Sequence, residues 1–193
     1  MVEGAVMTEV YDDLGNSRFG LVSRADFFDL SYHDRMIWSE VLADKKLQDM
    51  PYKIELNERG KIEMSPATNI HGLLQGEIII MLAQFLKGGK RIPECSVQTS
   101  KGVKVADVTW LSDEFITKNK YVTPYLIAPE LCVEIVSPSN TKEEILEKIA
   151  LYLETGAIEV WVCNLQGNLS FYDVTGKLEL SKLVPEFPEQ LEL

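Results

Sequence analysis

Two acidic residues lie in short apolar stretches of the chain that are typical of buried β-strands. Asp107 lies within residues 105–110 (VADVTW), and Glu134 lies within residues 131–136 (LCVEIV). A carboxylate in such a strand is costly unless it is paired, hydrogen-bonded or bound to a metal. Mg²⁺ and Mn²⁺ take carboxylate oxygens as ligands and leave positions for water and phosphate. Because a metal held in this way can activate water and neutralise charge on a phosphoryl group, the two acids indicate a site for phosphoryl chemistry.

The same two acids also have structural explanations. Taken singly, each carboxylate is better explained as a solvated edge-strand residue or as half of an ion pair, since structural pairs also perturb carboxylates. Both acids occur, however, and a helix with basic residues follows them. The metal-site and structural interpretations therefore stand side by side at this point.

Three helices are predicted from the spacing of apolar residues. The pattern favours helices over residues 31–46 and 70–85, the second ended by a Gly-Gly pair. Thr141 and Glu144 have the spacing of a capping box, which begins a third helix that runs to about Glu154.

Strands are predicted between these helices. Residues 52–56 and 61–64 form a plausible hairpin, and the continuous apolar run at 131–136 suits a central strand that is covered on both faces. The remaining strands are expected at residues 91–96, 103–110, 160–163 and 169–172. This order predicts one α/β domain with a mixed sheet over residues 25–193, preceded by a poorly structured leader at residues 1–24.

Composition and charge narrow the class of protein. A chain of 193 residues with 46% hydrophobic and 25% charged residues is typical of one globular domain. No apolar run approaches the roughly 18 residues of a membrane span, and the start lacks the features of a secretory signal. Cys95, Cys132 and Cys163 are odd in number and scattered, so they predict neither a disulfide framework nor a zinc site. A cytoplasmic location is the expectation, with no membrane partner.

The net charge of −11 bears on any nucleic-acid partner. Phosphate contacts dominate such affinity and usually leave a basic footprint. Here the basic residues are dispersed, with only short clusters such as residues 87–91. Weak binding of polyanions is therefore expected unless a metal or a local patch contributes.

Five short segments stand in a consistent order and spacing over roughly residues 50–173. They are IEL with MSP (54–56 and 64–66), VADV (105–108), APELCVEIVSPS (128–139), EKIALY (147–152) and GAIEVWV (156–162). These motifs resemble those of the Uma-type restriction endonuclease family, which belongs to the PD-(D/E)XK nuclease superfamily. The resemblance implies a restriction-endonuclease-like core, in which helices flank a mixed β-sheet.

The resemblance also implies roles for individual residues. Asp107 and Glu134 would be metal ligands for Mg²⁺ or Mn²⁺, with the carbonyl of Ile135 as a third oxygen. The usual superfamily lysine lies two residues after the acid, where this chain has Val136. In the Uma-type pattern the lysine lies on the following helix, which nominates Lys148 as the catalytic lysine.

The position of Lys148 on its helix and two further residues, Glu55 and His71, complete the candidate site. Lys148 borders the apolar stripe of its helix on the side of Tyr152, so that its long side chain could reach the strand ends. Glu55 matches an acid of the family's opening motif, and is either a catalytic or metal-binding acid or half of a surface pair. His71 lies where the family often has a histidine, although a helix cap or a packed polar residue explains it better.

Taken together, the sequence predicts a metal-dependent DNA endonuclease that hydrolyses phosphodiester bonds, with a homodimer expected from the superfamily. Two alternatives stay open: an inactive nuclease-fold module for binding or assembly, and a phosphohydrolase that acts on nucleotides. No nucleophile elbow, P-loop or dinucleotide-binding motif is present in the sequence.

Overall fold

Helices and strands account for most of the chain in the computed structural model, which describes residues 5–11, 17–138 and 140–192, with side chains from Tyr32 onward. In chain order the elements are β1 (Ala5–Tyr11), β2 (Ser17–Ser23), α1 (Arg24–Ala43), α2 (Lys45–Gln48), β3 (Tyr52–Leu56), β4 (Ile62–Pro66), α3 (Asn69–Phe85), β5 (Lys90–Thr99), β6 (Gly102–Leu111), α4 (Asp113–Asn119), β7 (Leu131–Ile135), α5 (Lys142–Glu154), β8 (Glu159–Cys163), β9 (Leu169–Asp173) and β10 (Gly176–Leu178). Among the described helices, none combines the length and the apolar character that a membrane span requires.

The central feature is a six-stranded sheet in the order β10-β9-β8-β7-β6-β5. Strands β7 and β8 run parallel and are joined through α5, whereas the other neighbours pair antiparallel. Every residue of β7 is buried, as the continuous apolar run predicts. The predicted mixed-sheet α/β architecture is therefore confirmed.

Helices cover both faces of this sheet. On one face, Leu74, Ile78 and Leu82 of α3 pack against Val133 of β7. On the other face, α5 packs against Cys132, the preceding residue of the same strand. Successive residues of a strand point to opposite faces, so β7 contributes to both layers of the core. Helix α5 begins with the predicted capping box, in which Thr141 and Glu144 each accept a hydrogen bond from the other's backbone N–H.

The β3–β4 hairpin, which the sequence also predicts, lies against β6 rather than within the main sheet. Trp38 and Val41 of α1 pack with Leu56 and Val103 in a third apolar cluster. Gly102 has a φ of +86°, and a Cβ atom there would lie 2.4 Å from the carbonyl oxygen of Leu56. Only glycine permits so close an approach, and this contact fixes the hairpin on the strand pair β5–β6.

The amino-terminal segment departs from prediction. Residues 1–4 and 12–16 lie outside the described residues, but Ala5–Tyr11 and Ser17–Ser23 pair as antiparallel strands. The expectation of little regular structure in a leader is wrong for these two segments. Their valine, threonine and aromatic residues favour extended backbone, a signal that the scattered glycines concealed. Helix α1 also begins at Arg24, seven residues before the predicted start, while the domain boundary at residue 25 stays a prediction.

Candidate active site

Three buried carboxylates from three different strands converge between the hairpin and the main sheet. Glu55 comes from β3, Asp107 from β6 and Glu134 from β7, and their exposures are 8%, 0% and 3%. The solvated-edge explanation for Asp107 and Glu134 is therefore wrong. Each acid must instead be compensated inside the protein, because an unpaired buried charge is costly.

Lys53 supplies much of that compensation. Its Nζ lies 2.7 Å from Oδ1 of Asp107, 3.2 Å from Oε2 of Glu134 and 3.9 Å from Oε1 of Glu55. Since Lys53 and Glu55 are two residues apart on β3, both side chains point to the same side of the hairpin. The ammonium thus stands among all three acids, and its side chain is only 10% exposed.

Helix α5 brings a second cation and a hydroxyl to the same acids. Lys148 Nζ lies 2.7 Å from Oε1 of Glu55 and 3.2 Å from Oε2 of Glu134. One helical turn later, the buried Tyr152 hydroxyl donates to Oε1 of Glu134 at 2.7 Å. Lys148 therefore reaches the strand acids as its place beside Tyr152 on the helix predicts, and Glu134 receives donors on both of its oxygens.

Asp107 is fixed from several directions. Its Oδ2 accepts a 2.6 Å hydrogen bond from the backbone N–H of Ile135, and Nε2 of His71 lies 3.4 Å from its Oδ1. Its backbone carbonyl accepts a 2.7 Å hydrogen bond from the side-chain amide of Gln75, which also donates to Oε1 of Glu94 at 2.8 Å. Gln75 thereby ties α3 to both strands of the β5–β6 pair.

Glu94 has an unusual backbone conformation beside this site. It lies in β5 with a φ of +52°, which is rare for a residue with a side chain. The β5–β6 ladder pairs Pro93 with Val108 and Cys95 with Ala106, but not Glu94 with Asp107. The break in the ladder frees the Asp107 carbonyl for Gln75. Such backbone strain clusters at functional sites.

Burial and pairing set the charge states of these groups. Burial opposes the charge of Lys53, but attraction by the three carboxylates outweighs it and raises the ammonium's pKa. Burial also opposes the charge of Asp107, yet Lys53 and the hydrogen bond from His71 hold the carboxyl pKa below its usual range. For Glu134, burial prevails over the two lysines and raises the pKa. The hydrogen bond with Asp107 raises the pKa of His71.

An open cavity gives access to this cluster. It has a volume of about 390 Å³, and its lining includes Lys53, Glu134, Lys148, Ser137 and Asn140. A second cavity of about 310 Å³ reaches Glu55 and Lys148 from another side, but Glu58, Glu63, Glu144 and Glu147 line it. An anionic substrate is repelled by such acids, so the first cavity is the better approach to the site.

The oxygens of Asp107 and Glu134 suit a hard divalent cation, although in the structure both acids contact the ammonium of Lys53. Mg²⁺ typically binds through one or two carboxylates and keeps several waters, and Asp107 and Glu134 both offer an oxygen to the same cation, Lys53. Among the described residues, no group of three or more His, Cys, Asp or Glu side chains is arranged so that it could hold a metal ion. A metal at this position would therefore rely on the two acids, water and backbone oxygen.

Comparison with known proteins identifies the family. Residues 43–185 match the family described as "Uma2: Putative restriction endonuclease". The chain belongs to the Uma2 family. No curated protein is similar enough to the chain to match it.

The chain is also similar to a protein from Anabaena variabilis, whose crystal structure is described as that of "a putative nuclease belonging to DUF820". The two share 19% identity with a TM-score of 0.53, over 70% of this chain and 73% of that one. At this identity the likeness bears on the fold alone. The match over residues 43–185 confirms the predicted family, and the structural neighbour confirms the α/β fold. The description of the family supports a nuclease.

The structure brings together the site residues that the sequence nominates. Asp107, Glu134, Glu55 and Lys148 share one cluster, and Ile135 joins it through its N–H, while its carbonyl as a metal ligand stays a proposal. His71 is a packed polar residue, and it packs on Asp107 itself.

Lys53 and Glu94 are site residues that the sequence does not predict, and Tyr152 is predicted only as part of the apolar stripe of its helix. One signal was available for Lys53, since the two-residue period of a strand places it on the same face as Glu55.

Proposed function

We propose that this Uma2-family protein is a divalent-metal-dependent endonuclease that hydrolyses phosphodiester bonds in DNA. The observation that carries the proposal is the convergence of Asp107, Glu134 and Glu55 on the two lysines Lys53 and Lys148. Of this cluster, Glu134, Lys53 and Lys148 line an open cavity. The family description supports cleavage of DNA as the reaction.

Asp107, Glu134 and the carbonyl of Ile135 would hold Mg²⁺ or Mn²⁺. When bound, the metal would act as a Lewis acid on the phosphate and lower the pKa of a water molecule. Two features of the chain prepare the acids for this role. The N–H of Ile135 fixes one oxygen of Asp107, and the Tyr152 hydroxyl fixes one oxygen of Glu134. Ligands held in this way lose little freedom when a cation binds.

Lys148 would orient the attacking water and stabilise negative charge that develops on the phosphate. Glu55 aims this lysine, because its Oε1 accepts from Lys148 at 2.7 Å and from the backbone N–H of Val105 at 2.9 Å. The ammonium also lines the cavity with Ser137 and Asn140, which offer polar groups to a phosphate. Glu55 is therefore proposed as the residue that positions Lys148.

Cleavage of supercoiled plasmid by purified protein in Mg²⁺ or Mn²⁺ tests the proposal. Asp107→Asn and Lys148→Met should each reduce nicking by about 10²–10³-fold, as loss of a charge-stabilising group typically does. The matched control is Lys118→Met, because Lys118 pairs with Glu114 on an exposed surface. This variant should nick the plasmid as fast as the natural protein. Metal-independent nicking, or nicking that survives both site variants, would contradict the proposal.

An inactive nuclease-fold module is the second candidate. One observation favours it: the carboxylates are already paired with lysines among the described residues, so the fold does not require a metal to compensate them. Calorimetry with Mn²⁺ separates the two candidates, since such a module has no reason to bind the ion. Release of phosphate from nucleoside triphosphates, without nicking, would instead indicate a nucleotide phosphohydrolase.

A further inference from the structure

Lys53 stands between the acids that are proposed to hold the metal. We infer that its ammonium is an internal counter-ion of the metal-free site, and that a divalent cation enters the site by displacing it. The inference rests on the proposed function and concerns how the site accepts its metal.

The contacts of Lys53 distinguish it from the other cations at the site. It touches both Asp107 and Glu134, whereas Lys148 touches Glu134 and Glu55, and His71 lies on Asp107. Mg²⁺ needs oxygens at about 2.0–2.1 Å, while the ammonium keeps these oxygens at 2.7 and 3.2 Å. The two cations cannot share the space between the same oxygens.

Charge balance leads to the same conclusion. When His71 is neutral and all three carboxyl groups are ionised, two ammonium groups face three carboxylates, and the cluster has one uncompensated negative charge. A divalent cation in place of Lys53 would neutralise the cluster. Adding that cation beside Lys53 would reverse the sign and set like charges close together in a buried site, which is unfavourable.

The displaced side chain has a place to go. Lys53 lines the 390 Å³ cavity together with Ser65, Ser137 and Asn140. The four-carbon stem of lysine is flexible, so the ammonium can move into the cavity while the β3 backbone stays in its ladder. In the cavity, the Lys53 ammonium would lie where a substrate phosphate approaches the metal. The same positive charge that occupies the metal-free site would then attract the phosphate to the metal-bound site.

Removal of the internal cation provides the test. Lys53→Gln and Lys53→Met should raise the affinity for Mn²⁺, measured by calorimetry, by roughly tenfold or more, because no cation competes for the acids. Without metal, both variants should melt at a lower temperature than the natural protein, since the carboxylates lose their partner. Glutamine can still donate to Asp107, so this variant is the safer of the two for folding.

Lys148→Gln is the matched control, because this lysine lies at the same 3.2 Å from Glu134 but does not touch Asp107. A clearly larger gain for Lys53→Gln than for Lys148→Gln supports displacement. Equal gains would show a general effect of removing positive charge and would overturn the inference. Unchanged or weaker binding by the Lys53 variants would overturn it as well.

These outcomes separate the inference from the proposed function. If the natural protein nicks DNA and binds Mn²⁺ as tightly as Lys53→Gln, displacement is wrong and the nuclease proposal stands. If only the Lys53 variant binds Mn²⁺, Lys53 excludes the cation instead of yielding to it, so displacement in the natural protein is overturned and the metal-dependent nuclease proposal fails with it. If neither binds, Lys53 is not what excludes the cation, and both proposals fail.

A measurement on the natural protein covers the case in which the variants do not fold. NMR of the lysine ammonium groups should show a solvent-protected signal from Lys53, because this side chain is buried among the acids. Saturating Mg²⁺ should abolish that protection as the ammonium moves into the cavity. Protection that persists at saturation would overturn the inference.

Discussion

The hydrogen bond from Tyr152 to Glu134 can be removed with little other change to the site. The Tyr152 side chain is completely buried, its ring packs between α5 and the sheet, and its hydroxyl lies 2.7 Å from Oε1 of Glu134. Tyr152→Phe keeps the ring and removes only the hydroxyl. The loss of stability therefore reports how firmly this hydrogen bond holds the acid.

The expected magnitude follows from the partners of Glu134. Lys53 and Lys148 both contact Oε2, so among the described residues Tyr152 is the donor that serves Oε1. A hydrogen bond to a charged group contributes about 1.5–3 kcal/mol, and an unsatisfied buried acceptor adds a further cost. Tyr152→Phe should therefore lower the free energy of unfolding by about 2–3 kcal/mol.

Urea unfolding of Tyr152→Phe and Tyr121→Phe provides the assay. Tyr121 is 89% exposed, so loss of its hydroxyl should change the free energy of unfolding by no more than about 0.5 kcal/mol. If both variants lose equally little, the Tyr152 hydroxyl does not hold Glu134, and the account of how this acid is positioned is wrong.

Two further predictions concern the parts of the fold around the site. Asp34 accepts a 2.8 Å hydrogen bond from Gln98, and burial raises its pKa above the ordinary 3.8. The folded protein thus holds the Asp34 proton more tightly than the unfolded chain. Stability therefore falls as the pH rises from the carboxyl pKa of the unfolded chain to the higher pKa of the folded protein. Asp34→Asn should therefore have a higher melting temperature than the natural protein at pH 7. This gain should vanish at pH values below about 3.8, where Asp34 is protonated in both states. A gain of equal size at low pH would refute this reasoning. Gly102→Ala should destabilise the protein more than Gly176→Ala in chemical denaturation, because both glycines have positive φ but only Gly102 has backbone atoms where the Cβ would be placed. Equal losses would show that left-handed backbone strain alone, about 1–2 kcal/mol, is the whole effect.

Local patterns in the sequence predicted most of the elements that carry the site. The apolar run around Glu134 predicted a central strand, and the capping box at Thr141 predicted the start of α5. Both signals are local, since burial and helix capping depend on neighbours within a few residues. The short helix α4 and the edge strand β10 were not predicted, because their seven and three residues give too little periodicity to read.

Two of the three acids at the site were also predicted from local patterns. Asp107 and Glu134 stand out because a charge in an apolar strand needs a partner, and this is a property of the sequence alone. Lys148 and Glu55 were predicted from the resemblance to the Uma-type motifs. The family match confirms that the chain belongs to this family. Their catalytic roles stay predictions.

Only the tertiary structure decided which partners meet these acids. Lys53 lies 54 residues before Asp107 and 81 before Glu134. Its one local signal, a shared strand face with Glu55, does not show which acids it meets. Lys53 reaches the acids because Gly102 allows the hairpin to lie directly on the β5–β6 pair. The sequence by itself therefore determined that two carboxylates stand in apolar, strand-like segments, and the tertiary structure decided that both are buried. Which lysine compensates these carboxylates depends on contacts between distant segments of the chain. The energy of a buried ion pair depends on distance in space and not on separation along the chain.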